Sequence, residues 1–303
     1  MTRPMYRSFV LALGVLAASA MLAPLPAVAQ STNPPQESRA LIPSGPLSEV
    51  APDIHQLFVA IGLYEVLGIM SAEGLAAAPD LEAEFFPGKG GSAWMATTAS
   101  IYSTERMIAR FEAAAPIDRL TPEFRATLSA FFDSALGQRV AQGEIAARRA
   151  FLDRAIEEAA TELAQRRAAE GHPRVAQLTR FIAVNDLVER NVSGALNSNF
   201  AFYRALSDGG AFAAPIPEEM MLAEVWAQEP EIRAETLDWL FAYQMLAYED
   251  LSDAEMDAYI ALSESPAGQA VNAILFSGFD GLFEAISNDL GRAAAGFIAG
   301  EDT

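Results

Sequence analysis

The 303-residue sequence has no cysteine, one lysine (Lys89) and two histidines, His55 and His172. Without a thiol there is no disulfide to support an exported fold, no thiol nucleophile, and no thiolate metal or iron–sulfur site. The two histidines lie 172 − 55 = 117 residues apart, one in the expected first turn of a helix and one in a Gly-His-Pro turn. Neither has the spacing of a metal site or a Ser-His-acid triad. His-Glu-x-x-His, Gly-x-Ser-x-Gly and Ser-x-x-Lys are absent too. Positive charge is scarce: 20 basic residues face 40 acidic ones, a net charge of −20. Such a chain repels phosphate backbones and anionic lipid, which argues against nucleic acid as a partner.

One long apolar run is present, and it sits at the N-terminus. Arg3 and Arg7 precede an apolar stretch from Phe9 to Leu22, followed by Ala27-Val28-Ala29. This is the layout of a secretory signal peptide cleaved near Ala29. The stretch is short of the roughly 20 residues of a membrane span, and Pro24 and Pro26 follow it, so no stable membrane anchor is expected. The arginines are separated, unlike a twin-arginine signal. Cleavage removes two arginines and no acid, taking the net charge from −20 to −22. Residues 30–46 are rich in Gln, Ser, Thr, Asn and Pro and read as a flexible leader.

Beyond the leader, apolar residues recur every three or four positions and no segment alternates as a strand would. Helices are expected at Pro52 to Met70, Trp94 to Ala114, a start at Thr121-Pro122-Glu123, and a long helix from Gln138 to Ala169. Pro79 to Gly91 reads as a connection or lid. Its Pro87-Gly88-Lys89-Gly90-Gly91-Ser92 lacks the Walker spacing of a phosphate cradle.

The pattern Ser-x-x-Gly-Gln occurs twice, at Ser134, Gly137, Gln138 and at Ser265, Gly268, Gln269, an offset of 268 − 137 = 131. Flanking residues align without a gap, as in Leu120/Leu251, Ala130/Ala261 and Val140/Val271, which suggests an internal duplication. A weaker upstream alignment pairs Leu57, Ile61 and Leu75 with Leu178, Ile182 and Leu196, with an insertion in Asp208 to Pro217. The serine would cap a helix, Pro266 would occupy its first turn, and the glycine would admit a close neighbour. A ligand role for the Ser/Gln pairs is the alternative.

Ser265-Pro266-Ala267-Gly268-Gln269 resembles the hallmark turn of the secreted bacterial domain-of-unknown-function 2059 family, and the first copy departs from it with Ala135 in place of proline. The resemblance is clearest over residues 120–151 and 251–283. It implies a helical envelope protein and brings no catalytic residues.

Candidate binding residues come from elsewhere. Asn185, Asn191, Asn197 and Asn199 interleave with Val192, Leu196, Phe200 and Phe202, which suggests a helix break near Asn191, an interhelical polar network, or a pocket lining. Trp94 is a further ligand-binding candidate, although core packing is the default for it and for Tyr102, Trp226, Trp239 and Tyr243. Glu144 with Arg148, and Asp186 with Arg190, have the i,i+4 spacing of surface ion pairs.

These readings predict an all-α, multi-helix bundle of two related helical halves, residues 47–171 and 172–303. No catalytic residue, metal ligand or cofactor is indicated. The leading functional expectation is a non-enzymatic envelope protein that binds a ligand or partner protein. An envelope-polymer hydrolase using acidic pairs and a chaperone-like periplasmic protein are the alternatives.

Overall fold

The computed structural model describes residues 46–300. The expected signal peptide, residues 1–29, and all but the last residue of the 30–46 leader lie outside them. Among the described residues the fold is all-α, without a strand. The first part comprises α1 (Pro46–Val50), α2 (Pro52–Ala60), α3 (Leu63–Phe85), α4 (Gly91–Ile101), α5 (Thr104–Ala114), α6 (Pro122–Phe132), α7 (Ala135–Ala150) and α8 (Arg154–Ala169), with a 3-10 turn at Ile117–Arg119. Then come α9 (Pro173–Val184), α10 (Leu187–Asp208), α11 (Glu218–Trp226), α12 (Glu229–Ala247), α13 (Asp253–Glu264) and α14 (Pro266–Ala299).

Several boundaries differ from the expected ones, each for a local reason. Helix α3 runs through Pro79, which periodicity alone would place in a loop. The proline removes one helical hydrogen bond, but neighbouring Ala78 and Leu81 are buried, and Trp94 Nε1 donates to the Ala78 carbonyl at 2.7 Å. Packing thus outweighs the local penalty. The remaining connection is short and fastened: Glu82 Oε1 accepts from both Gly90 N and Gly91 N at 3.0 Å. Two long expected helices are broken where a cap intervenes. Ser103 Oγ accepts from Arg106 N to start α5, and Asp153 accepts from Ala155 N to start α8. Short polar side chains of this kind compete with the helix interior and win at its ends. The two long spines therefore differ, since α14 continues unbroken for 34 residues.

The Ser-x-x-Gly-Gln turn is built the same way twice. Ser134 Oγ accepts from Gly137 N at 3.1 Å and donates to the Phe131 carbonyl at 2.6 Å. Ser265 Oγ does so with Gly268 N and the Leu262 carbonyl, at the same two distances. In each turn a Cβ on the glycine would lie 2.1 Å from that carbonyl oxygen, which is why the position excludes a side chain. Gln269 Nε2 donates to Ser263 O at 2.7 Å and to Val184 O at 3.0 Å, tying α14 to the end of α9.

Helix α14 is the centre of the bundle. It packs along α10 and also against α4, α5, α6 and α13. It is long and apolar enough to cross a membrane, yet Ile274, Leu282, Ile286 and Leu290 are completely buried in protein, as in a core helix. Around this core, α12 lies against α7, α8, α9 and α10, so helices from before and after His172 interleave. Gly171 and His172 form the turn between α8 and α9.

Replacing Gly268 by alanine inside a helix would ordinarily gain about 1 kcal/mol of helix propensity. Here the new methyl group meets a carbonyl, and overpacking of this kind costs about 1–3 kcal/mol. Gly268→Ala and Gly137→Ala are therefore both expected to lower the urea midpoint; a raised midpoint in either would contradict the shared geometry.

Candidate functional site

Val140, Glu144 and Ala147 of α7 and Phe151 just after it lie on one line, and three of these four are apolar residues of the core. An acid at the centre of that stripe must be buried or must bend the helix away. The chain turns it inward, where it is half-buried. Gly143 makes this possible, because a Cβ there would lie 2.2 Å from the Ala247 carbonyl oxygen. With no side chain in the way, α7 closes on the end of α12 and carries Glu144 to Tyr248, the residue that follows that helix.

Three tyrosines then converge on one residue. Tyr248 OH donates to Glu144 Oε1 at 2.7 Å and Tyr259 OH to the same oxygen at 3.0 Å. Tyr243 OH donates to the Glu144 backbone carbonyl at 2.9 Å. Among the described residues, Glu144 has no basic group within ion-pair distance. Burial pushes its carboxyl above the ordinary glutamate range, and the two phenol bonds pull it part of the way back. Burial also raises Tyr248 and Tyr259 well above the usual phenol range, and the neighbouring carboxylate adds to it. Glu144 keeps some accessible surface because it lines a chamber.

The expected surface pair between Glu144 and Arg148 does not form. Arg148 turns the other way, donating from Nε to Glu73 Oε1 at 2.7 Å and from its terminal nitrogen to Glu73 Oε2. Its guanidinium lies 5.3 Å from the Trp239 ring centroid. A two-pronged bond to a buried carboxylate plus an aromatic face is a stronger set of contacts than a single-turn surface pair. The other expected pair, Asp186 with Arg190, is present at 3.8 Å.

The chamber beside Glu144 has a volume of about 320 Å³. Its walls are mostly aliphatic and aromatic, drawn from α6, α9, α12, α13 and α14, and include Phe132, Phe181, Leu240, Leu262, Val271 and Leu275. Trp239 and Tyr243 stack at 4.8 Å on one side, and Phe181, Tyr248 and Tyr259 pack together on another. A second space of about 250 Å³ adjoins it, sharing Val66, Trp239, Tyr243, Phe276 and Phe279 as a common wall. This one holds the Glu73–Arg148 pair, Arg190 and Tyr102, whose OH has no hydrogen-bond partner among the described residues.

Of the sequence candidates, Asn185 lines the first chamber and Asn191 the second. Asn185 Nδ2 donates to Phe181 O at 3.0 Å, and Asn191 Nδ2 to Leu187 O at 2.7 Å. Asn272 Nδ2 donates to the Asn185 carbonyl at 2.9 Å. The asparagines do not form one network: Asn199 reaches instead to Gln228 Oε1 at 3.1 Å. Asn197 is exposed and lines neither chamber, so it is not a pocket residue. The helix break falls at Asn185 and the left-handed Asp186, not at Asn191. Trp94 is also corrected, since it is sealed in the core between Phe86 and Phe297 with its N–H already bonded. His55 packs on Tyr64, and His172 caps α9 by accepting from Arg174 N.

Sequence reasoning missed Tyr248 and Tyr259, and placed Glu144 on the surface. The usable signal was the apolar stripe of α7 with Glu144 in its middle. Comparison with protein-family models, curated proteins and solved structures finds no match for this chain.

A carboxyl held above its unfolded value binds its proton more tightly in the folded chain. Its burden on folding is absent below the ordinary glutamate value, about 4.3, grows as pH rises from there to the raised folded value, and is constant above it. Glu144→Gln removes that titration and leaves an acceptor for the phenols. The stability of Glu144→Gln relative to wild type should therefore rise with pH across this range; a difference that stays constant would remove Glu144 as a raised, buried acid.

Proposed function

We propose that the chain is an exported helical binding protein whose ligand is a small, largely apolar molecule held in the chamber beside Glu144. The observation that carries this reading is a space of about 320 Å³ with mostly apolar walls and a single carboxyl among them. That size and lining suit small-molecule sites, which combine an apolar surface with a few placed polar groups. Asn185, Gln244, Ser263 and Asn272 are further polar residues of the lining.

Binding is favoured over the hydrolase reading by the number of acids. Glycoside hydrolysis requires two carboxyl groups flanking the bond, and Glu144 is the one acid in this lining. Across the shared wall the second space holds Glu73, which is locked to Arg148, and Asp280. A chaperone-like role would rest on exposed apolar surface, of which α11 offers Met220, Leu222 and Trp226. The chamber beside Glu144 is the more specific feature. Export is supported by the Arg3, Arg7 and Ala27-Val28-Ala29 pattern, and kinship with the helical envelope family by the Ser265–Gln269 turn.

A neutral fluorescent probe, N-phenyl-1-naphthylamine, is expected to bind saturably at one site per chain. Leu275→Phe, which adds an aromatic ring to the chamber wall, should weaken that binding by about tenfold or more, equivalent to roughly 1.4 kcal/mol. No saturable binding to the folded wild-type chain, or full binding to Leu275→Phe, would count against the chamber as the site.

A further inference from the structure

Resting on that binding reading, we infer that the ligand class is a protonated amine on an apolar body, with the ammonium seated between Glu144 and the surrounding aromatic rings.

The lining decides the sign of charge. It contains no arginine, lysine or histidine, and its one charged residue is Glu144. Several acids elsewhere, Glu73, Glu264, Glu189, Glu255 and Asp289, pair with arginine. The arginine one turn from Glu144 is held beyond Trp239 by Glu73. A buried acid left without its nearest cation is a position that a cationic ligand completes.

Hydrogen bonding points the same way. The donors of Tyr243, Tyr248, Tyr259, Asn185, Asn272 and Ser263 all end on protein acceptors. Both phenols that reach the carboxyl use Oε1, so Oε2 receives no protein donor among the described residues. An acceptor left open beside the chamber calls for a ligand that brings an N–H group. A primary ammonium has three.

The rings supply the rest. Trp239 and Tyr243 stack nearly parallel, 8° apart, while Tyr248 stands at 72° to Tyr259 and 74° to Phe181. All five of these rings line the chamber, and ring faces attract cations. The aliphatic wall formed by Leu240, Leu262, Val271 and Leu275 would take the apolar body.

The test is calorimetric titration of the full chain with 2-phenylethylammonium and with its neutral near-isostere 2-phenylethanol. Wild type should bind the amine about tenfold or more tightly than the alcohol, an increment typical of a desolvated charge or cation–π contact. Glu144→Gln should lose that preference while still binding the alcohol. Tyr259→Phe removes one phenol but keeps the acid, so it should retain the preference and guards against a folding artefact in the first variant. Equal binding of amine and alcohol by wild type, both weakened in Leu275→Phe, would overturn the amine assignment and leave the chamber reading standing. An amine preference that survives in Glu144→Gln would also overturn it, assigning the attraction to the net charge of −20. If neither compound binds and N-phenyl-1-naphthylamine also fails, the binding reading itself falls.

Discussion

The close approach of α7 to α12 at Gly143 is the constraint on which the site depends. A methyl group at that position would sit 2.2 Å from the Ala247 carbonyl. With glycine the two backbones touch, and the next residue, Glu144, is delivered to Tyr248 at the end of α12. The same approach aligns Phe151 with Trp239 and Tyr243, whose centroids lie 5.9 Å and 6.0 Å away. A single missing side chain therefore fixes both the acid and the aromatic wall beside it.

Once Glu144 is inside, the remaining arrangement follows from electrostatics at low polarity. A buried carboxyl without donors is expensive, and each hydrogen bond to an ionised group returns about 1.5–3 kcal/mol. Two phenols reach Oε1, and a third holds the backbone of the same residue. Arg148 is one turn away, yet it is claimed by Glu73, which is buried on α3 and would itself be stranded without a cation. Of the two buried acids, the one reached by a planar, two-pronged bond keeps the arginine. The other is left to the tyrosines and to whatever enters the chamber.

Much of the helical architecture was legible in the sequence because it is local. Ser134, Ser265 and Thr121 cap helices where spacing placed them, and Ser252 with Glu255 forms a capping box at the start of α13. The Ser-x-x-Gly-Gln turns have the structural role that their cap, glycine and proline imply. Local rules failed where tertiary contacts opposed them. Pro79 stays helical because Ala78 and Leu81 are buried on the same turn. The asparagine run looked like one site because its members are near one another in the chain. The break at Asn185 and Asp186 sets Asn185 apart from α10, so it lines the first chamber and Asn191 the second, and along α10 successive residues point in different directions, which leaves Asn197 facing outward.

The sequence by itself determined an all-helical chain, its caps and turns, its acidity, and the absence of thiol chemistry, since each depends on residue type or on neighbours within a few positions. Only the tertiary structure decided which acid keeps an arginine and which is buried without one. Glu144 and Glu73 both lie within reach of Arg148, one by sequence and one by folding. The choice between them is a competition between contacts 4 and 75 residues apart along the chain, and it is settled by burial and geometry that no local pattern encodes.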